Sequence, residues 1–543
     1  NPNPPTTPSL NPTKMPDVAC TLFGGNAQIG GNKILLRDGG IDLFLDFGMN
    51  FEANGRYFAE FLSPRGGTSG TYDYLMMGII PPVSGIYRSD AAVEALDPIG
   101  WQEARRKWGE YEAPPPALPL SHAHVDHTGH IAFLDGDIPI VASAVSAQIV
   151  KSMQDTAAGG LDTEVAYWRE RIDDPDRNRL GYLEKQALAI RRPWLITDYG
   201  NWSPAAEALW NHYPGVRGSI TGPDPAPFSG KVASLAVRDY PVDHSIPGAR
   251  AFAIETSAGW VVYTGDLRLH GATGHQTLEF AEAVRELNPV ALLCEGTRVS
   301  DKPSRPANED IVRDRSREAV AATDGLVVAD FGPRNIERLR IFLDIARDND
   351  RKLVVLARDA HLLRALHASD PSVPLPDPAA GLYVFRDREG ATRGWKKDVM
   401  ERNAGASVNW EDVAAFPGEY LLCLSVYDLT RLIDINPTGG AYIYSTSEPY
   451  DLQMELSVER LRSWVRRFNL TLVGDPEIDT PAHSGFHAGG HAPGEDIFKV
   501  IEIINPRLLI PIHTLYPDLM AATAAELNIP AHMPEFGVPV PIG

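Results

Sequence analysis

His122-Ala123-His124-Val125-Asp126-His127 puts four side chains with metal-binding chemistry inside six residues. The segment follows Ala117 to Leu120, a short apolar run that reads as a strand, so the motif falls where a strand opens into a loop. Side chains two apart on an extended segment share a face, which turns His122 and His124 the same way. The turn that follows presents Asp126 and His127 towards a second position. Imidazole and carboxylate donors suit zinc, with manganese or iron as alternatives, and the absence of cysteine from the cluster removes the softest ligand. A lone histidine is usually a core or surface residue; three with an aspartate at this spacing point to a metal.

Further donors recur at the mouths of other strand-like runs. His244 lies in Pro241-Val242-Asp243-His244-Ser245-Ile246-Pro247-Gly248, Asp266 ends Tyr263-Thr264-Gly265-Asp266, and His513 follows Leu508-Leu509-Ile510-Pro511-Ile512. A rigid scaffold holds functional groups at such positions. Added to the first cluster, they supply enough donors to close two coordination spheres.

With these motifs the chain resembles the metallo-β-lactamase superfamily, and within it the β-CASP nucleases of the ribonuclease J type. Asp46, in Leu43-Phe44-Leu45-Asp46-Phe47-Gly48, matches the first superfamily motif; His122 to His127 match the second, His244 the third and Asp266 the fourth. Glu295 in Leu293-Cys294-Glu295-Gly296-Thr297, His491 in His487-Ala488-Gly489-Gly490-His491, and His513 match the β-CASP motifs. One departure is Gly489, where the family usually has a serine before Gly-His. The resemblance implies an α/β fold: an αββα metallo-β-lactamase sandwich with a β-CASP α/β domain inserted into it. It also assigns His122, His124 and His244 to one metal and Asp126, His127 and His513 to the other, with Asp266 bridging and Asp46 orienting a ligand.

The implied chemistry is hydrolysis of RNA phosphodiester bonds, endo- or 5′-exonucleolytic, by a hydroxide shared between two divalent ions, zinc first and manganese second. Asp46, Asp126, Glu295 and His491 would be the catalytic set. His491 would supply a proton to the leaving oxygen, and Glu295 would position His491 or its loop. Substrate contacts are expected from Arg334, in Phe331-Gly332-Pro333-Arg334-Asn335, from Ser445, in Ser445-Thr446-Ser447-Glu448-Pro449, and from His487, which could equally cap the Gly-rich loop. Family members often form homodimers.

At 543 residues the chain should hold two or three domains. Its 43% apolar and 8% aromatic content is that of a globular protein. The first sixteen residues hold six prolines, so residues 1–17 read as a disordered arm. Residues 18–300 would form the first part of the sandwich, with insertions near 50–116 and 146–231. Residues 301–475 would form the β-CASP unit, and 476–543 would close the sandwich. Strands are expected at Val232 to Val237 and Lys352 to Ala357, and helices at Asn335 to Arg347 and Gly494 to Ile504. Only Thr514 to Gly543 follow the last candidate ligand, so the further C-terminal domain typical of ribonuclease J is not expected.

Three widely separated cysteines cannot build a disulfide framework, and no apolar run is long enough for a membrane span. A cytoplasmic protein without a membrane partner is the expectation. The net charge of −21 opposes a polyanion at long range, although a basic groove beside divalent ions can overrule it locally. The resemblance nonetheless puts single-stranded RNA first as substrate, with a small phosphodiester, lactone or β-lactam as the alternative if the insertions narrow the cleft. A non-catalytic scaffold fits poorly, since every expected ligand is present.

Overall fold

Lys33–Asp38 is a strand because both of its faces find an apolar partner. Ile34 and Leu36 enter one core and Leu35 another, the alternation of extended chain between two layers. The strand pairs antiparallel with Val18–Leu22 and Ile41–Phe47, and Pro539–Pro541 adds to the far edge of Val18–Leu22. The computed structural model describes residues 17–58, 61–91, 115–174, 179–183, 188–214, 220–300, 308–388, 394–446, 452–478, 480 and 483–543.

A six-stranded sheet faces this one, in the order Lys231–Val232, Leu235–Pro241, Arg250–Thr256, Gly259–Tyr263, Ala291–Glu295 and Leu509–Ile512. Phe252, Ile254, Val261 and Leu293 meet Cys20, Leu22, Ile34, Leu36 and Leu43 in a shared core. The six-stranded sheet turns Ala251, Ala253, Val262 and Leu292 outward onto helices Gly274–Arg285 and Gly494–Ile504. The first sheet turns Leu35, Phe44 and Phe47 outward into the cluster that also holds Ala147, Ile149 and Val150 of helix Ala144–Thr156. The layering is therefore helix, sheet, sheet, helix, which is the metallo-β-lactamase sandwich expected from the resemblance.

The inserted α/β unit is built on seven parallel strands among the described residues. Their order is Ser407–Asn409, Leu382–Arg386, Lys352–Val355, Tyr420–Cys423, Leu326–Asp330, Gly440–Tyr444 and Leu470–Val473. Helices Ile336–Asp348 and Ala357–Ser369 cover one face, and Trp410–Ala415, Arg431–Ile435 and Leu452–Arg467 cover the other. Helix Ala357–Ser369 packs on helix Ala144–Thr156 of the sandwich, and a buried polar cluster crosses that seam. Asp155 accepts from Lys151 Nζ at 2.7 Å and from the Tyr167 hydroxyl at 2.9 Å, with His361 Nε2 at 3.3 Å.

Several local expectations change. The run Val232 to Val237 is not one strand: Ala233 takes a positive φ of 51° and turns the chain between Lys231–Val232 and Leu235–Pro241. Strand Lys352–Val355 ends before Ala357, which starts a helix. Residues 146–231 are not wholly peripheral, because Trp194–Ile196 pairs with Ile140–Ala142 and so extends the sheet that leads to the His122 loop. The Pro-rich arm up to Pro16, residues 92–114 of the first insertion and Ser447 to Pro449 lie outside the described residues.

Candidate metal centre

The donors reach one point because their strands end at one edge. His122 follows Leu118–Pro119, His244 follows Leu235–Pro241, Asp266 follows Gly259–Tyr263, and His513 follows Leu509–Ile512. Glycine at position 48 lets the Asp126 loop come close: a Cβ there would lie 1.6 Å from the Asp126 carbonyl oxygen. Backbone bonds then clamp that loop, with Gly31 N donating to Asp126 O and Met49 N to Val125 O, both at 3.0 Å.

Two four-donor groups share Asp266, namely His122, His124, His244 and Asp266, and Asp126, His127, His513 and Asp266, while Glu295 and His491 make a smaller, three-donor group with it. In the first, His124 Nδ1 lies 3.1 Å from His122 Nε2 and 3.0 Å from His244 Nε2, while Asp266 Oδ2 lies 3.5 Å from His122 Nε2. In the second, His127 Nε2 lies 3.1 Å from Asp266 Oδ2, and His513 Nε2 lies 3.2 Å from Asp126 Oδ2. Donors about 2.0–2.1 Å from a tetrahedral zinc ion would be roughly 3.3 Å apart, so the spacing suits one ion in each group.

The outer nitrogens of four of the five rings face an acceptor: His122 Nδ1 meets Ser121 Oγ at 3.0 Å, and His127 Nδ1 meets Asp46 Oδ2 at 2.6 Å. His244 Nδ1 meets Gly490 O at 2.6 Å, and His513 Nδ1 meets Thr297 Oγ1 at 2.7 Å. In the neutral ring, these partners place the proton outward and leave a lone pair on the inner Nε2 of His122, His127, His244 and His513. His127 Nε2 and both Asp266 oxygens are buried without a hydrogen-bond partner. Converging lone pairs and an unpaired carboxylate repel one another unless a cation sits among them, so the residues present fit divalent ions.

The electrostatics agree. Burial holds the His122 and His124 imidazoles well below the ordinary histidine range and His244 down to about 3, which favours neutral ligands. Burial also works against charge on His127, but the carboxylates of Asp266, Asp126 and Asp46 outweigh it and hold this ring well above the usual range. That is the field a cation would feel.

Asp46 sits at a positive φ of 56°, which aims its carboxylate at the centre. It accepts from Ser121 N at 2.7 Å, Ser121 Oγ at 2.6 Å, His127 Nδ1 and the Tyr263 hydroxyl. Glu295 is buried: Oε1 accepts from Leu267 N at 2.9 Å and lies 3.2 Å from His491 Nδ1, and Oε2 accepts from Thr297 N at 2.8 Å. His491 Nδ1 is also 3.8 Å from Asp266 Oδ2. Burial disfavours its charged form, but Glu295 and Asp266 prevail and push its pKa up to about 9.

The three expected substrate contacts divide. Arg334, half-buried, faces the centre across the seam, close enough that the Asp126 carboxylate acts on its charge. His487 Nδ1 donates to Thr446 O at 2.9 Å, which ties down the Gly-rich loop. Ser445 is not a surface contact: it is 2% exposed, accepts from Arg338 Nη1 at 2.6 Å and donates to Phe486 O at 2.8 Å, so its hydroxyl is spent on packing. Ser121, Tyr263 and Thr297 were not anticipated from the sequence. Only Thr297, two residues past Glu295, carried a positional signal.

This chain shares sequence with several known proteins. It is similar to curated proteins named ribonuclease J, at 21–25% identity over the best-covered matches. The Mycoplasma pneumoniae ribonuclease J is 23% identical over 51% of this chain and 45% of its own length, and that of Pyrococcus abyssi is 21% identical over 73% and 74%. The chain spans about half the length of most curated relatives it matches. No family model matches it. Among solved structures, a protein of unknown function from Enterococcus faecalis V583 aligns with 96% of this chain and 99% of its own at a TM-score of 0.63 and 20% identity, a likeness of fold. Among the described residues no helix is long and apolar enough to cross a membrane.

Proposed function

We propose that the chain is a dinuclear-metal ribonuclease of the ribonuclease J type, acting on single-stranded RNA in the cytoplasm. The observation that carries this reading is the convergence of ring nitrogens from separate strand ends onto the buried carboxylate of Asp266. His122, His124 and His244 would hold one ion and Asp126, His127 and His513 the other, with Asp266 between them; zinc suits this donor set best and manganese next. When bound, two such ions lower the pKa of water and offset negative charge on phosphoryl oxygens.

The chain's own residues supply the remainder. Asp46 holds the His127 ring in its tautomer through the 2.6 Å contact with Nδ1. Glu295 fixes His491, which is placed to give a proton to the leaving oxygen. Arg334 offers a cation to a phosphate from the opposite wall. The ribonuclease J names of the relatives support RNA as the substrate.

Metal analysis of the purified chain, followed by assay on 5′-monophosphorylated single-stranded RNA with Asp126→Ala and His491→Ala alongside, tests the reading. Two metals per chain and RNA cleavage lost in both variants are expected. A wild type that carries metal yet leaves RNA intact while hydrolysing a small ester would overturn the ribonuclease. Variants matching wild type on RNA would overturn the site.

A further inference from the structure

The loop His487 to His491 has glycine at position 489, where the β-CASP pattern usually carries a serine hydroxyl. The space beside Gly489 is filled from another segment. A Cβ at 489 would lie 3.3 Å from Arg298 Cδ, 3.5 Å from its Nη1 and 3.6 Å from its Nε. Arg298 is half-buried, and its Nη1 donates to the His491 carbonyl at 3.4 Å. Among the described residues no carboxylate forms an ion pair with it; Asp496, in the first turn of Gly494–Ile504, is the acid that feels its charge.

Arg298 belongs to the segment that organises the site. Within Glu295-Gly296-Thr297-Arg298, Glu295 meets His491 Nδ1, Thr297 meets His513 Nδ1, and Arg298 meets the His491 backbone. The opposite side of the Gly-rich loop is pinned by His270 Nε2, which donates to Gly489 O at 3.1 Å. A guanidinium carries five N–H donors in a planar fork, and one is committed here. The others, with the positive charge, match the oxygens of a phosphate.

We propose that Arg298 holds a substrate phosphate beside His491, so that an arginine from the Glu295 segment does the work of the hydroxyl absent at Gly489. The proposal rests on the ribonuclease reading and adds to it a specificity-determining cation. A Cβ at residue 489 would press on the guanidinium stem, which would have to give by a few tenths of an ångström. Arg298 also gives a chain of net charge −21 a local cation beside His491.

The test is binding of a phosphorothioate-linked single-stranded oligoribonucleotide to the metal-loaded full chain, measured by fluorescence anisotropy over a salt series. Arg298→Ala should weaken binding roughly tenfold and flatten the slope of log K against log salt by about 0.7, the loss of one phosphate contact on a single strand. Arg298→Lys should keep the slope while losing part of the affinity. Gly489→Ser added to Arg298→Ala should recover affinity without recovering slope, and Gly489→Ser alone should weaken binding. Wild-type affinity and slope in both Arg298 variants would overturn the proposal while RNA cleavage by wild type keeps the ribonuclease. A wild type that neither binds nor cleaves RNA would overturn both.

Discussion

Asp46 Oδ2 and His127 Nδ1 lie 2.6 Å apart although 81 positions separate them in the chain. The carboxylate takes three further donors, from Ser121 N, Ser121 Oγ and Tyr263, so it is spoken for before any ion arrives. Its influence reaches the centre through the imidazole, by keeping the proton on Nδ1 and the lone pair on Nε2.

Asp46→Asn should therefore leave the fold intact and weaken metal binding. An amide accepts less strongly than a carboxylate, and its NH2 can oppose the donors around it. Metal affinity, followed by competition with a chromogenic chelator, is expected to fall by about 10–100-fold. Unchanged affinity would show that the hydrogen bond does not tune the ligand.

Asp266→Asn should act more severely. Both oxygens of Asp266 are buried without partners, and Oδ2 lies 3.1 Å from His127 Nε2 and 3.5 Å from His122 Nε2. Replacing one oxygen by NH2 points protons at ligand positions. Elemental analysis should show metal content cut by at least half, with RNA cleavage down by ~100-fold or more. Full metal content would contradict the bridging role.

His491→Gln and Glu295→Gln separate chemistry from metal binding. Neither residue is among the seven proposed ligands, so both variants should retain metal. His491→Gln should lower kcat by about 10²–10⁴-fold through loss of the proton donor, and Glu295→Gln should lower it less. Loss of metal in His491→Gln would move that residue into the coordination sphere.

Asp330→Asn probes the inserted unit through pH. Burial raises the Asp330 carboxyl from 3.8 to about 7, against the opposing hydrogen bond from Tyr442 at 2.6 Å. Between those values the folded state binds more protons than the unfolded one, so stability falls as pH rises through the window. Asparagine keeps an acceptor for Tyr442 without the charge. The variant should gain on the order of 2 kcal/mol over wild type at pH 8 and nothing at pH 4, read from denaturant midpoints. A gap independent of pH would exclude the mechanism.

Much of the cluster was legible because candidate metal donors are few residue types at tell-tale spacings. His122 to His127 announced themselves, and His244, Asp266 and His513 each stood after an apolar run. The supporting groups were hidden for a physical reason: Ser121, Tyr263 and Thr297 are common residues whose value depends on partners far away in the chain. Local geometry hid other features. Ala233 breaks a run that reads as continuous strand, and Pro539–Pro541, poor in donors, still pairs along Val18–Leu22 as an edge. Ser445 misled in the opposite sense: a hydroxyl after a strand end looked available but is committed to Arg338 and Phe486.

The contact between Asp126 and His513 spans 387 positions, with the inserted unit translated between them. A nascent chain can pair Val18–Leu22, Lys33–Asp38 and Ile41–Phe47 and form the inserted parallel sheet before His513 joins the cluster. The donor cluster closes only after strand Leu509–Ile512 has docked beside Ala291–Glu295 and carried His513 to Asp126. Closure of the cluster is thus a late step in folding: without His513, the donors Asp126 and His127 stand without the imidazole that faces them.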